Sequence, residues 1–365
     1  MSGAAGANNA ADMAGAPRAV AASALCDFVA RLFHAAGVPP QAAHAVAAGL
    51  VDADLAGLHS HGVMLVDMYI ERIGQGSVSR KEAAEIVSDR QAAVVLDAGH
   101  ALGQVTGRQA MDLAIGRARQ FGAGIVAVRH GFHFGTAGRY ALQAAAAGCV
   151  GIAMCNTRPL MPAPGGAERV VGNNPIAVAL PTDDDKPLLL DMATSEAAMG
   201  KIRMAAKAGQ PIPTNWAVTA QGEPTSNADE AIAGMLLPSG GAKGFGLALM
   251  IDLMCGLLSG GSSGAEVRPL YGDFSQPYDC SHLFIAIDVA HFAPASDFRR
   301  RASAVAGRLR DARRAPNVAQ LFTPGEPEWQ RRRQSRGVVT LDAAVADMLI
   351  RFAAKLGVTP NPLAP

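Results

Sequence analysis

Between Arg129 and Ser195 the chain alternates apolar runs with loops crowded by glycine, proline and asparagine. It reads RHGFHFG, then MCNTRPLMPAPGGAERVVGNNPIAVALP, then LLLDMATS. Short apolar runs bounded by Gly, Asn, Pro and Asp predict buried strands. Rigid strands that present polar loops are the usual seat of binding and catalytic groups. This stretch therefore predicts a sheet whose loops form the floor of a cofactor and substrate site.

On either side the pattern changes. Val20, Leu25, Phe28, Val29, Leu32 and Phe33 recur at helical spacing, which predicts a helix over Pro17–Ala36 that stops at Gly37. A second helix runs from Pro39-Pro40 to about Ala56, and a third from Met64 to Ile73. From Glu85 onward, strand runs alternate with helical windows at Gly103–Phe121, Gly135–Ala147, Lys201–Ala208 and Gly244–Leu258. Helices return at Phe298–Arg310 and Leu341–Leu356. An α/β middle bracketed by helices predicts a discontinuous helical domain, residues 17–76 with 299–365, around a central domain at 77–298. Residues 1–16, Ala/Gly-rich and without a basic n-region, read as a disordered leader rather than a signal peptide.

Composition excludes several classes. Half of the 365 residues are hydrophobic and the formal net charge is +1, which gives no footprint for nucleic acid. No run of eighteen apolar residues lacks a charge, so no membrane span is expected. The five cysteines are scattered without C-x-x-C spacing and predict reduced, structural thiols, with neither disulfide nor zinc site, in a cytoplasmic protein.

Four places could carry chemistry. His59, Ser60 and His61 precede Gly62 at a helix end: an imidazole suits proton transfer to an oxygen, and the same residues also suit a capped surface junction. His130 and His133 lie three apart between glycines; with no Cys or acidic ligand nearby to complete a set, no metal is assigned, and His133 reads as an active-site imidazole or a packed one. Asp191 ends an apolar strand, where it could orient an imidazole, grip a ribose hydroxyl or cap the next turn of chain. SGGAKGFG opens a long helix with Lys243 at its mouth, an arrangement that favours phosphate. Neither G-x-G-x-x-G between strand and helix nor G-x-x-x-x-G-K-[ST] occurs.

The order of these motifs is more specific than any one of them. SHG, HFG, MCNT, P-GG, GNNPIA, LDMATS, WAV, GGAKGFGLAL and TPGEPEW closely resemble the malate/L-lactate dehydrogenase family of the second type, which includes ureidoglycolate and sulfolactate dehydrogenases, 2,3-diketogulonate reductase and cyclic imino acid reductases. The resemblance spans roughly Arg18 to Gly357. It implies an α/β fold of α+β type: a non-Rossmann nicotinamide-binding domain with a mostly antiparallel sheet, plus a helical domain built from both chain ends, assembled as a homodimer. It further implies hydride exchange between NAD or NADP and a small 2-hydroxy or 2-oxo acid. Carried over residue by residue, His61 or His133 moves the proton, with Ser60 beside His61, and Thr157 contacts substrate. Asp191, Met192, Ala193, Thr194 and Ser195 match the nicotinamide loop, Lys243 the cofactor lysine, and Gly325, Glu326 and Pro327 a late cofactor contact.

One position departs from the family. Many members carry an arginine three residues after SHG, where this chain has Leu65. Arg158, beside Thr157, is the candidate to grip the substrate carboxylate in its place. The resemblance leaves room for a reductase of cyclic imino acids, and a nicotinamide-binding protein without catalysis is the rival from another class. The same loop leaves NAD and NADP open, with Arg203 and Lys207 as possible phosphate partners or simply a solvated helix face.

Overall fold

The computed structural model describes residues 16–363. The leader expected at residues 1–16 therefore lies almost wholly outside the described residues. The chain begins with β1 (Arg18–Ala21), α1 (Ala22–Ala35) and α2 (Pro40–Leu55), then two 3-10 turns (His59–His61 and Val63–Leu65) and α3 (Val66–Gly74). It continues through β2 (Glu85–Arg90), β3 (Ala93–Asp97), α4 (Gly103–Phe121), β4 (Ala123–Gly131), α5 (Gly138–Ala146), β5 (Cys149–Cys155), β6 (Ile176–Leu180) and β7 (Leu188–Met192). Next come α6 (Met199–Lys207), β8 (Ala217–Val218), α7 (Ala228–Ala233), β9 (Met235–Leu236), α8 (Ala242–Ser259), β10 (Cys280–Asp288) and α9 (Ala295–Arg310). The last elements are α10 (Glu326–Ser335), β11 (Val338–Leu341) and α11 (Ala343–Leu356).

Two compact units result, one formed by the residues up to Ile70 with those from Arg331, the other by Glu71–Gln330. The dividing points differ from the expected 76 and 299. In particular α9 belongs to the larger unit, where Ser303 Oγ accepts the Asp183 N–H at 2.9 Å and Arg310 pairs with Glu326 at 3.1 Å. The expectation of helix from Pro17 is also corrected. Residues 18–21 are extended and pair antiparallel with 338–341, so a two-stranded ribbon, β1 with β11, ties the chain ends together. Val20, Val339 and Leu341 bury one face of that ribbon, and pairing across more than 300 residues overrides local helical spacing. Within the smaller unit α1 buries Leu25, Phe28, Val29, Leu32 and Phe33, each contributing about 1.5–3 kcal/mol by leaving water.

The larger unit is built on a mixed seven-stranded sheet, order β2-β3-β4-β10-β5-β6-β7, antiparallel at every pair except β3 with β4. Alternate residues of the central strands face opposite layers. Ala127, Met154 and Leu283 meet Ile251 and Cys255 of α8 on one side. On the other, Gly124 and Gly151 back directly against the carbonyls of Ala114 in α4 and Ala141 in α5. α4 stops at Gly122 and α8 at Gly260, both left-handed, as expected of helix ends followed by a tight reversal. Among the described residues none of the five cysteines forms a disulfide.

Candidate active site

In the smaller unit the SHG tripeptide lies on a 3-10 turn directly after α2, and its shape is dictated by Asp54. That carboxylate accepts the Val63 N–H at 2.8 Å and pairs with Nδ1 of His59 at 2.9 Å. A Cβ on Gly62 would lie 2.1 Å from Asp54 Oδ1, so only glycine lets the turn close over the acid. Burial raises the Asp54 pKa, opposed by its bonds to Val63 and His59. Ser60 Oγ lies 3.0 Å from Nδ1 of His61 and so sets the imidazole's orientation. Desolvation holds the His61 pKa below the ordinary 6.5, which leaves the ring neutral at pH 7. Leu65, the residue that stands three places after SHG, is buried in the hydrophobic core.

In the larger unit His133 follows the end of β4 and is half-buried. Its neighbours fix it from both sides. Phe134 stacks on His282 with ring centroids 4.6 Å apart, and Phe132 meets Tyr278 edge-on at 6.2 Å. The fully buried guanidinium of Arg72 lies over the Phe132 ring at 5.9 Å and donates to the carbonyls of Pro269, Leu270 and Gln276. His130 is not a partner of His133: its Nδ1 pairs with Asp97 at 3.0 Å, in a left-handed backbone.

Two buried asparagines, to which the motifs alone assign no role, lock the loop after β5. Asn156 donates to Asp252 and Ser262 and accepts from the Ser281 N–H at 2.7 Å. Asn174 accepts the Thr157 N–H at 2.8 Å and donates to Ala248 in α8. Thr157 Oγ1 lies 3.2 Å from both Asn173 and Asn174. A Cβ on Gly172 would sit 2.2 Å from that hydroxyl, so this close approach also demands glycine. The adjacent Arg158 is half-buried; desolvation lowers its pKa, and Arg169 and Arg203 nearby add to the effect. Such crowding of like charge is relieved by an anion.

Asp191 is the penultimate residue of β7 and accepts the Gly138 N–H at the start of α5 at 2.9 Å. Its side chain is exposed to solvent. Desolvation pushes its pKa up to about 6, against the Gly138 bond and with help from Glu328. Met192 and Ala193 follow, half-buried, then Thr194 and Ser195, both buried. Ser195 Oγ donates to Ala197 O at 2.9 Å, and Thr194 receives the Ser239 N–H on its carbonyl. Lys243 lies exposed in the first turn of α8. Gly325 approaches Leu189, whose N–H bonds to Pro324 O. Glu326 and Pro327 open α10. The Glu326 carboxylate is engaged by Thr323 and Arg310, which outweigh desolvation and hold its pKa below the usual range. Arg203 and Lys207 are exposed on α6.

Two features fit a nicotinamide dinucleotide. Gly240 and Gly241 have φ of 63° and 66° with nothing near their Cβ positions, so the first N–H groups of α8 are approachable by phosphate. Thr194 Oγ1 is buried without a protein hydrogen-bond partner, a polar atom that awaits one.

The sequence profile described as malate/L-lactate dehydrogenase matches residues 20–350. A malate dehydrogenase of Pyrococcus abyssi is 40% identical over 310 residues, covering 83% of this chain and 84% of that protein. Ureidoglycolate dehydrogenase (NAD(+)) of Escherichia coli O157:H7 is 36% identical, covering 82% and 85%. A (2R)-3-sulfolactate dehydrogenase (NADP(+)) of Chromohalobacter salexigens is 36% identical, covering 71% and 78%. The solved malate dehydrogenase of Pyrococcus horikoshii OT3 superposes with a TM-score of 0.86 at 35% identity, covering 94% of this chain and 97% of that one.

Proposed function

The chain belongs to the malate/L-lactate dehydrogenase family, and on that premise we propose how its own residues serve hydride exchange between NAD(P) and C2 of a small 2-hydroxy acid or the matching 2-oxo acid. When bound, the nicotinamide supplies or accepts the hydride. The protein's part is to hold both molecules and to move one proton. The observation that carries this reading is the Ser60–His61 pair at 3.0 Å, in a turn that Asp54 closes.

With Ser60 on its Nδ1, His61 is the first candidate to exchange a proton with the reacting oxygen. A neutral imidazole takes the hydroxyl proton during oxidation and returns it during reduction, when negative charge builds on that oxygen. His133 is the second candidate for this transfer. Thr157 positions substrate, and Arg158 takes over the carboxylate that the missing arginine would have held. Thr194, Ser195, Lys243 and the first turn of α8 hold the cofactor, with Met192 and Ala193 along its edge. Gly325, Glu326 and Pro327 support it through backbone and shape, because the Glu326 side chain is already engaged. Asp191 receives a ribose hydroxyl. The large domain acts as a nicotinamide-binding fold without the Rossmann fingerprint. The enzyme works as a cytoplasmic homodimer, independent of membrane and nucleic acid.

The test follows nicotinamide absorbance with NADH and NADPH in parallel against pyruvate, oxaloacetate, 2-oxoglutarate, 2,3-diketogulonate, sulfopyruvate and piperideine-2-carboxylate. Oxidation of cofactor by a 2-oxo acid is the expected result. Turnover with the cyclic imine alone would reassign the substrate, and cofactor binding without turnover on any of them would sink the catalytic reading.

A further inference from the structure

Three soft donors meet in the larger unit, behind the HFG turn. Cys155 ends β5, directly opposite His282 of β10 in the antiparallel register, so the two side chains share one face of the sheet. Cys280 sits one irregularity further along β10, and its Sγ lies 3.3 Å from Nε2 of His282. The ligand atoms of Cys155, Cys280 and His282 all lie within 4.8 Å of one another, and the three residues are 4%, 0% and 0% exposed. Cys280 engages Nε2 of the imidazole, while its Nδ1 is buried without a hydrogen-bond partner.

We propose that Cys155, Cys280 and His282 form a buried site for one zinc ion, a structural centre distinct from the catalytic chemistry. Two thiolates and one neutral imidazole are ligands that Zn(II) favours, and donor separations below 4.8 Å are those that a shared ion requires. The charge balance is favourable. Both thiols lose a proton to solvent as the ion binds, no electron is transferred, and a dication with two thiolates leaves no net charge in the core. The Asn156 backbone carbonyl oxygen, which accepts from the Cys155 thiol at 2.9 Å, could take a fourth position once that thiol has lost its proton. The centre would fasten β5 to β10 beside the two elements that matter most. His282 stacks on Phe134, next to His133, and Cys155 precedes the Asn156–Thr157 loop.

The full chain, reduced and stripped with a chelator, is titrated with Zn(II) against a chromophoric competitor, and separately with Co(II). The expected result is one tight equivalent, two protons released per zinc in weak buffer, and a thiolate-to-cobalt charge-transfer band with tetrahedral d–d bands. Cys155→Ser and Cys280→Ser should each weaken binding on the order of 100-fold or more, while Cys26→Ser should leave it unchanged. The wild-type cobalt spectrum decides even if a core variant misfolds. Absence of a charge-transfer band, or a zinc equivalent that disappears in Cys26→Ser, overturns the proposal.

Discussion

Asp54 holds one carboxylate oxygen 2.8 Å from the backbone nitrogen of Val63, so a buried side chain of α2 closes the SHG turn from within. The second oxygen is spent on His59, and Gly62 passes too close for any larger residue. Asp54→Ala leaves the Val63 N–H buried and unpaired, a loss of about 1–3 kcal/mol. It also frees the turn that aims His61. Denaturant unfolding should report the stability loss, and steady-state kinetics a fall in kcat beyond it. Asp54→Asn keeps an oxygen for Val63 and should lie between the two. Wild-type kcat in Asp54→Ala would show that the turn needs no such support.

The imidazoles are separable by substitution. His61→Ala and His133→Ala should each lower kcat by about 10²–10⁴ if the residue moves the proton, with unchanged circular dichroism. Turnover near wild type in either variant would remove that residue from the mechanism. For His61 a pH profile adds an independent sign. Its depressed pKa means that oxidation, which needs the neutral ring, should reach its plateau below the pH at which an ordinary imidazole would allow it.

What the sequence disclosed was what local pattern encodes. The strands around HFG and LDMATS and the long helix after SGGAKGFG follow from apolar runs and glycine punctuation, and the structure places them as β4, β7 and α8. β1 and β11 escaped because four-residue strands are fixed by a partner at the other end of the chain, and Val20 fits a helix face equally well. Asn156 and Asn174 are legible as letters in MCNT and GNNP, but their role depends on Asp252, Ser281 and Ala248, far away in sequence. The Cys155–Cys280–His282 grouping was hidden for the same reason: no spacing rule joins two cysteines 125 residues apart that only strand register brings face to face.

The carboxyl of Asp191 titrates at about 6 in the folded chain against 3.8 for the free side chain. The raised value means the folded state keeps its proton over that interval. The associated stability is fully present below pH 3.8 and is lost as pH rises through about 6. Asp191→Asn cannot ionise, so its Tm should stay level where the wild type declines. A ribose hydroxyl donates best to the ionised form, so wild-type affinity for NAD(P)H should weaken as pH falls through about 6, and the Asn variant should be both weaker and flat. Fluorescence titration across that range checks it; identical pH curves for the two proteins would remove Asp191 from cofactor binding.

The apolar surface of α8 extends beyond the face it buries. Ile251 and Cys255 press it onto the sheet, while Leu247, Met250, Met254, Leu257 and Leu258 form an adjoining exposed stripe, with Leu257 63% and Leu258 59% exposed. The helix is 18 residues long and apolar enough, by length and composition, to cross a bilayer, yet it carries Lys243 and Asp252, and Asp252 is bonded to Asn156. An apolar stripe of this kind on a helix docked to a sheet suits the same stripe on a second copy. Met250→Glu with Leu257→Glu would place two carboxylates in that contact, where burying an unpaired charge costs several times what a methyl contact returns. Size-exclusion chromatography with light scattering should show a dimer for the wild type and a monomer of native circular dichroism for the double variant. A double variant that still elutes as a dimer would place the partner elsewhere on the surface.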